Sequence, residues 1–164
     1  SCRAGACERR PANAAGFSVA LIEQPYRVAG RRSQAPARQL DAAWLAVIAE
    51  LRRRQLAAGR LVAGGRSAGA RVACRTAAEV GADAVLCLAF PVHPPGKADD
   101  PSKSRLGELD AVEAPVLVIQ GERDRFGCPP PGPRRQVVVV PGTHSLRTAA
   151  PVRQAVADWL AGLS

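Results

Sequence analysis

Gly64-Gly65-Arg66-Ser67-Ala68-Gly69-Ala70 follows the short apolar run Leu61-Val62-Ala63 and precedes a stretch with helical spacing. The order is strand, tight turn, helix. A serine in such a turn sits on a strained backbone with its hydroxyl pushed clear of the sheet, provided the residues two before and two after it lack bulk. Gly65 and Gly69 stand at those places. A helix beginning at Ala68 aims its first backbone N–H groups, and the positive end of its dipole, at the space beside the serine oxygen. An anionic intermediate formed there would be stabilised. Gly-x-Ser-x-Gly alone carries little weight in a chain with 15 glycines; the flanking strand and helix give it meaning.

On both sides of this turn the apolar pattern switches between two periods. Ala84 to Phe90 is a continuous apolar run, as expected of a strand covered on both faces and central in a parallel sheet. Pro115 to Gln120 reads as the next buried strand and Gln136 to Val140 as the one after. Upstream, Phe17 to Glu23 is rich in large and β-branched apolar residues and is predicted to be the first strand, ended by Pro25. Tyr26 to Ala35 reads as an exposed loop. Helical spacing appears from Pro36 to Ala58 through Leu40, Trp44, Val47, Ile48 and Leu51, with Arg52, Arg53 and Arg54 placed to complement the helix dipole. It appears again from Ala68 to Val80, closed by Gly81, and from Pro151 to Leu163. Pro91 to Gly107 is a proline-rich loop able to cover a site. Strands alternating with helices predict an α/β fold, a doubly wound, mostly parallel sheet with helices on both faces, over residues 17–164. Residues 1–16 show neither period and are expected to be poorly ordered. The chain has no methionine, so Ser1 is expected either to be exposed by processing or to mark a chain cut from something longer.

The 164 residues suit one domain, and with 47% hydrophobic but only 4% aromatic residues the core must be built from Val, Leu, Ile and Ala. The net charge is +9, almost all of it arginine, with Lys97 and Lys103 the only lysines. These arginines are scattered and few aromatics are available for base stacking, so no nucleic-acid partner is expected. The five cysteines form no C-x-x-C pair, which argues against a disulfide framework or a zinc site and suits a reduced cytoplasm. Cys74 and Cys87 read as small core residues. No apolar stretch approaches the roughly 20 residues that span a membrane. Neither a metal nor a cofactor is expected, and the oligomeric state is left open.

In an open α/β sheet, sites form where loops leave the C-terminal ends of strands. Three such loops carry reactive residues: Ser67, then Gly121 to Gly127 with Asp124, then Pro141 to Ser145 with His144. A serine hydroxyl is a weak nucleophile at neutral pH, so it needs a base, and the base needs a partner to fix its tautomer. His144 and Asp124 can supply these roles, and the chain order Ser, acid, His differs from that of the other serine hydrolases. Histidine occurs only at His93 and His144, so the base is one of the two; His93, in the proline-rich loop, reads as a pocket-lip residue. Glu122 is the nearest rival to Asp124. Arg66, beside the serine, either holds an acidic group of the substrate or is simply solvated.

On these motifs the chain resembles the α/β-hydrolase superfamily over nearly its whole length. It resembles more closely the branch of small dienelactone-hydrolase-like proteins, whose loop after the sixth strand looks like Phe90-Pro91-Val92-His93-Pro94-Pro95-Gly96. That branch includes testis-expressed hydrolase-like proteins and a relative found in a chromatin acetyltransferase complex. The resemblance implies Ser67 as nucleophile, His144 as base, and Asp124 as acid, since the family's Gly-x-x-Asp pattern falls on it. It further implies the Ala68 N–H as an oxyanion donor and a small acyl substrate. Nothing before Phe17 matches the family's His-Gly-rich oxyanion loop, or the strand that lies in space between those matched by Phe17 and Leu61. A slot of unpaired backbone would then be left in the sheet, so either the sheet closes up differently or the chain is incomplete. That departure also motivates a second reading, a hydrolase-like fold used for binding.

Overall fold

The computed structural model describes Ala12 and residues 16–54 and 59–163. Four apolar runs form strands: β1 (Val62–Arg66), β2 (Ala84–Leu88), β3 (Val116–Gly121) and β4 (Arg135–Val140). They pair in parallel in the order β1-β2-β3-β4, with Gly65 beside Cys87, Cys87 beside Val118 and Val118 beside Val137. Among the described residues the helices are α1 (Pro25–Val28), α2 (Ala37–Arg54), α3 (Ala68–Thr76), α4 (Leu106–Asp110) and α5 (Ala149–Ala161). Because side chains alternate along a strand, each strand feeds two cores. Ala63, Val85, Cys87, Val116 and Val118 pack with Ile48 of α2, Ala73 and Cys74 of α3 and Leu109 of α4. Leu88, Leu117, Ile119 and Val140 pack with Val152, Val156 and Leu160 of α5. Leu117 and Ile119 are fully buried, each worth about 1.5–3 kcal/mol relative to exposure. The α/β class with helices on both faces is the one expected from the sequence.

The helices on the first face are also joined by charge. Arg75 of α3 grips Asp41 of α2 at 2.6 and 2.9 Å and reaches Glu108 of α4 at 3.2 Å. Arg71 meets Glu108 at 2.5 and 2.8 Å. Its hydrogen bond with Asp41 holds Arg75 protonated above the ordinary arginine range, against the opposing effect of burial. Among the described residues, no helix is long and apolar enough to cross a membrane.

Several expectations are corrected. Phe17 to Glu23 forms no strand, and among the described residues it pairs with none of β1 to β4. It forms one wall of a hollow of about 910 Å³ whose opposite side is β1, with Trp44, Ile48, Leu51, Val156 and Leu160 on its flanks. Among the described residues β1 pairs with β2 alone, so the expected slot is present at this edge. The predicted loop from Tyr26 holds most of α1, which Pro25 starts by fixing its own φ. The predicted loop to Gly107 contains a 3₁₀ turn, Pro101–Lys103, capped by the Asp100 carboxylate, and the start of α4. α3 ends four residues early, the chain passing through turns to Gly81 at φ +58°. β2 stops at Leu88 rather than Phe90 because Ala89 turns to φ +50°. The far end of the predicted Pro36–Ala58 helix, and residues 1–16 apart from Ala12 and Gly16, lie outside the described residues.

Candidate active site

The serine turn is built as its glycines suggest, with one difference. Ser67 adopts φ +52° and ψ −113°, a region that costs a non-glycine residue about 1–3 kcal/mol and persists only where the surroundings enforce it. Enforcement comes from both sides: the Ser67 N–H donates to the Leu88 carbonyl at 2.9 Å, and α3 begins at the next residue. A Cβ on Gly65 would overlap the Gly69 carbonyl, whereas one on Gly69 would meet nothing within 4 Å. Only Gly65 is required by the close approach. Ala68, as the first residue of α3, presents its N–H at the head of the helix.

The loops after β3 and β4 interlock. Arg123 N–H donates to the Gly142 carbonyl at 3.0 Å and Glu122 N–H to the Val140 carbonyl at 2.9 Å. Gly121 allows this contact, since a Cβ there would stand 2.6 Å from the Thr143 oxygen. Within the first loop the Asp124 carboxylate accepts from the Phe126 N–H at 2.9 Å and from Gln120 Nε2 at 2.8 Å. His144 Nδ1 lies 2.8 Å from Asp124 Oδ2, and His144 Nε2 lies 2.8 Å from Ser67 Oγ. A carboxylate only accepts, so Nδ1 carries the ring proton and Nε2 is left to accept from the Ser67 hydroxyl. The Asp124 side chain is 1% exposed and that of His144 is 24% exposed: the carboxylate is sealed, while the imidazole meets solvent. Phe126 packs on the imidazole, ring centroids 4.2 Å apart, and the Arg125 guanidinium sits 5.4 Å above the Phe126 ring.

Ser67, His144 and Asp124 thus form one hydrogen-bonded chain at the C-terminal ends of β1, β4 and β3. Glu122, the rival acid, is exposed beside Arg123 at 3.5 Å. His93 stands apart from Ser67: its Nδ1 faces the Pro94 carbonyl at 2.8 Å, and its ring packs against Gly127 at the end of the acid turn. Arg66 has a partner that the sequence did not suggest, donating to the His144 carbonyl at 3.0 Å. Two neighbours were also missed, Phe126 against the imidazole and Gln120 against the carboxylate. The signal for Gln120 was available, one carboxamide at the end of an otherwise apolar run. Cys74 and Cys87 are buried with their sulfurs 3.4 Å apart; this contact, and then burial, push the Cys87 thiol well above its ordinary pKa. Burial, and then Asp124, raise that of Cys128. Among the described residues no group of three or more His, Cys, Asp or Glu side chains is placed to hold a metal ion.

The profile of the alpha/beta hydrolase domain matches residues 4–131, a span that takes in Ser67 and Asp124 and stops short of His144. The chain belongs to the α/β-hydrolase domain family. Solved α/β hydrolases share its architecture. A Xanthomonas campestris protein assigned to the alpha/beta hydrolase superfamily superposes with a TM-score of 0.69 at 16% identity, over 96% of this chain and 88% of that one. A pyrethroid hydrolase from Sphingobium faniae gives 0.61 at 16% identity, over 95% and 92%. A second Xanthomonas campestris protein, an α/β serine hydrolase without a lid, gives 0.56 at 22% identity, over 78% of this chain and 58% of its own length. At these identities the likeness is one of fold. A search of curated proteins finds no match to this α/β hydrolase.

Proposed function

We propose that this α/β hydrolase is a serine hydrolase of small carboxylic esters, thioesters or related acyl compounds, working through an acyl-enzyme on Ser67. The observation that carries the reading is the relay from Ser67 Oγ to His144 Nε2, and from His144 Nδ1 to the sealed Asp124 carboxylate, each step 2.8 Å. Ser67 Oγ attacks the acyl carbon while its proton passes to Nε2. The carbonyl oxygen, now anionic, takes the Ala68 N–H, and Asp124 stabilises the imidazolium by holding its Nδ1–H. His144 then gives its proton to the leaving alcohol or thiol as the bond to the acyl carbon breaks. Water repeats the cycle on the acyl-enzyme and restores the serine. Arg66 and His93 are assigned to the substrate side of the site, with Arg66 also tethering the His144 loop. The Phe90 to Gly96 stretch supports placing the protein near the dienelactone-hydrolase-like branch, and its cysteine usage supports a cytoplasmic setting.

Among the described residues β1 pairs with β2 alone, and residues 1–16 carry no His-Gly-rich motif; both favour a second reading, a hydrolase-like fold that binds without turning over. A fluorophosphonate probe separates the two because it reacts only with an activated serine. Stoichiometric labelling that disappears in Ser67→Ala is the expected result; wild-type protein that stays unlabelled at millimolar probe sinks the hydrolase reading.

A further inference from the structure

Gln120 is fully buried at the end of β3, in a strand whose other side chains are apolar. Its Nε2 faces three acceptors: Asp124 Oδ2 at 2.8 Å, the Gly127 carbonyl at 2.7 Å and the Phe90 carbonyl at 3.2 Å. Its Oε1 is buried with no hydrogen-bond partner among the described residues. For stability alone this is a poor choice, because a buried carboxamide with an unmet acceptor costs about 1–3 kcal/mol and leucine fits a buried strand at little change in volume. A group that weakens the core yet spends both its hydrogens on one corner of the site calls for a local explanation.

We propose that Gln120 is a positioning residue for the relay, acting through Asp124; the inference rests on the hydrolase reading above. Oδ2 accepts from Gln120 on one side and from His144 on the other, while Oδ1 accepts from the Phe126 N–H. These donors fix the carboxylate plane with one Oδ2 lone pair left facing the imidazole. The other Nε2 hydrogen of Gln120, shared between the Phe90 and Gly127 carbonyls, ties the same amide to the loop after β2 and to the end of the Asp124 turn, so Asp124 cannot rotate without breaking several contacts. A neutral donor suits the task. Glutamate would set a second carboxylate against the first, and an apolar side chain would leave Oδ2 free to swing.

The test compares wild type with Gln120→Leu, which keeps the bulk, and Gln120→Glu, which keeps the shape and reverses the polarity. Fluorophosphonate labelling yields two quantities: the fraction of serine that reacts, and the rate constant at which it does so. A positioning role lowers the rate constant roughly 10- to 100-fold, the scale of a small misplacement of reacting groups, with the reactive fraction unchanged. A merely structural role lowers the fraction and spares the rate constant. Proton NMR gives a readout independent of reactivity, namely the low-field Nδ1–H resonance of His144, assigned by its loss in His144→Ala. It is expected in wild type and absent or broadened in both Gln120 variants. Persistence of that resonance unchanged in Gln120→Glu overturns the proposal. Failure of wild type to label, with the resonance present and sensitive to Gln120, instead overturns the hydrolase reading and leaves the positioning of Asp124 supported; if Gln120→Leu does not fold, Gln120→Glu alone decides.

Discussion

The two flanks of the site are built differently. On the β3–β4 flank, the acid and histidine loops share backbone hydrogen bonds, Gly121 lets them touch, and Gln120 pins the carboxylate from below. On the β1 flank, the Ser67 turn follows a strand that has β2 on one side and, on the other, a hollow of about 910 Å³ lined by Phe17 to Ile22, which among the described residues pair with no strand of the sheet. Both runs that border this hollow are apolar enough to be strands, and only one is. Hydrophobic sequence therefore sets where a strand can form, while the supply of a partner backbone decides whether it does. The orienting half of the relay is held from several directions, and the attacking half hangs on one strand pair, a helix start and the reach of Arg66.

The largest effect tests the rigid flank. Asp124→Asn keeps the shape but sets an amide N–H against one of the donors around it, favouring the wrong imidazole tautomer; under the proposed mechanism the rate of ester hydrolysis is expected to fall by about 10³- to 10⁴-fold, with Tm lowered because a buried donor loses its acceptor. A fall of less than tenfold would mean that the acid side contributes little and that the contrast between flanks has no catalytic meaning. Next comes the nucleophile turn, where Gly65→Ala forces a Cβ onto the Gly69 carbonyl and should cost about 3 kcal/mol in urea unfolding. Gly69→Ala, which points into open space, should leave stability unchanged or raise it by up to about 1 kcal/mol; equal losses at the two positions would show that the turn is not held as described. The smallest effect concerns the tether between flanks. Arg66→Gln removes the bond to the His144 carbonyl and should lower kcat up to about tenfold for neutral and anionic esters alike. If instead KM rises for anionic esters alone, Arg66 serves the substrate and the flanks are joined elsewhere.

What the sequence made legible follows the same contrast. Ala84–Leu88 and Val116–Gly121 were readable because a strand buried on both faces needs an unbroken apolar run, and helix α2 because Leu40, Trp44 and Ile48 recur at its period. Helix α4 was not, since five residues within a proline-rich stretch carry too little period to detect. The strand expected at Phe17 is not formed, and whether a strand forms depends on a partner backbone that no local pattern records. Within the site, residue type and place after strands offered Ser67 and His144, while the choice of Asp124 over Glu122 came from the Gly-x-x-Asp pattern of the resemblance; the three are joined by hydrogen bonds in the structure. The partners of Arg66 and Phe126 were not legible: a carbonyl 78 residues away and a ring on another loop. Gln120 stood between these cases, visible as an oddity but not as a contact.

The spacing of the relay along the chain bears on how it assembles. His144 and Asp124 are 20 residues apart, whereas His144 and Ser67 are 77 apart. The entropy of closing a flexible loop grows with the logarithm of its length, and this near-fourfold difference corresponds to about 1.2 kcal/mol. The acid–base pair can thus close within the β3–β4 unit as a local event, at little cost in chain freedom. Ser67 lies beyond α3, β2 and α4 along the chain, so its contact with His144 closes the longer loop and carries the larger entropy cost. A chain that has formed its β3–β4 unit but not its sheet edge would hold the Asp124–His144 pair with Ser67 still out of reach.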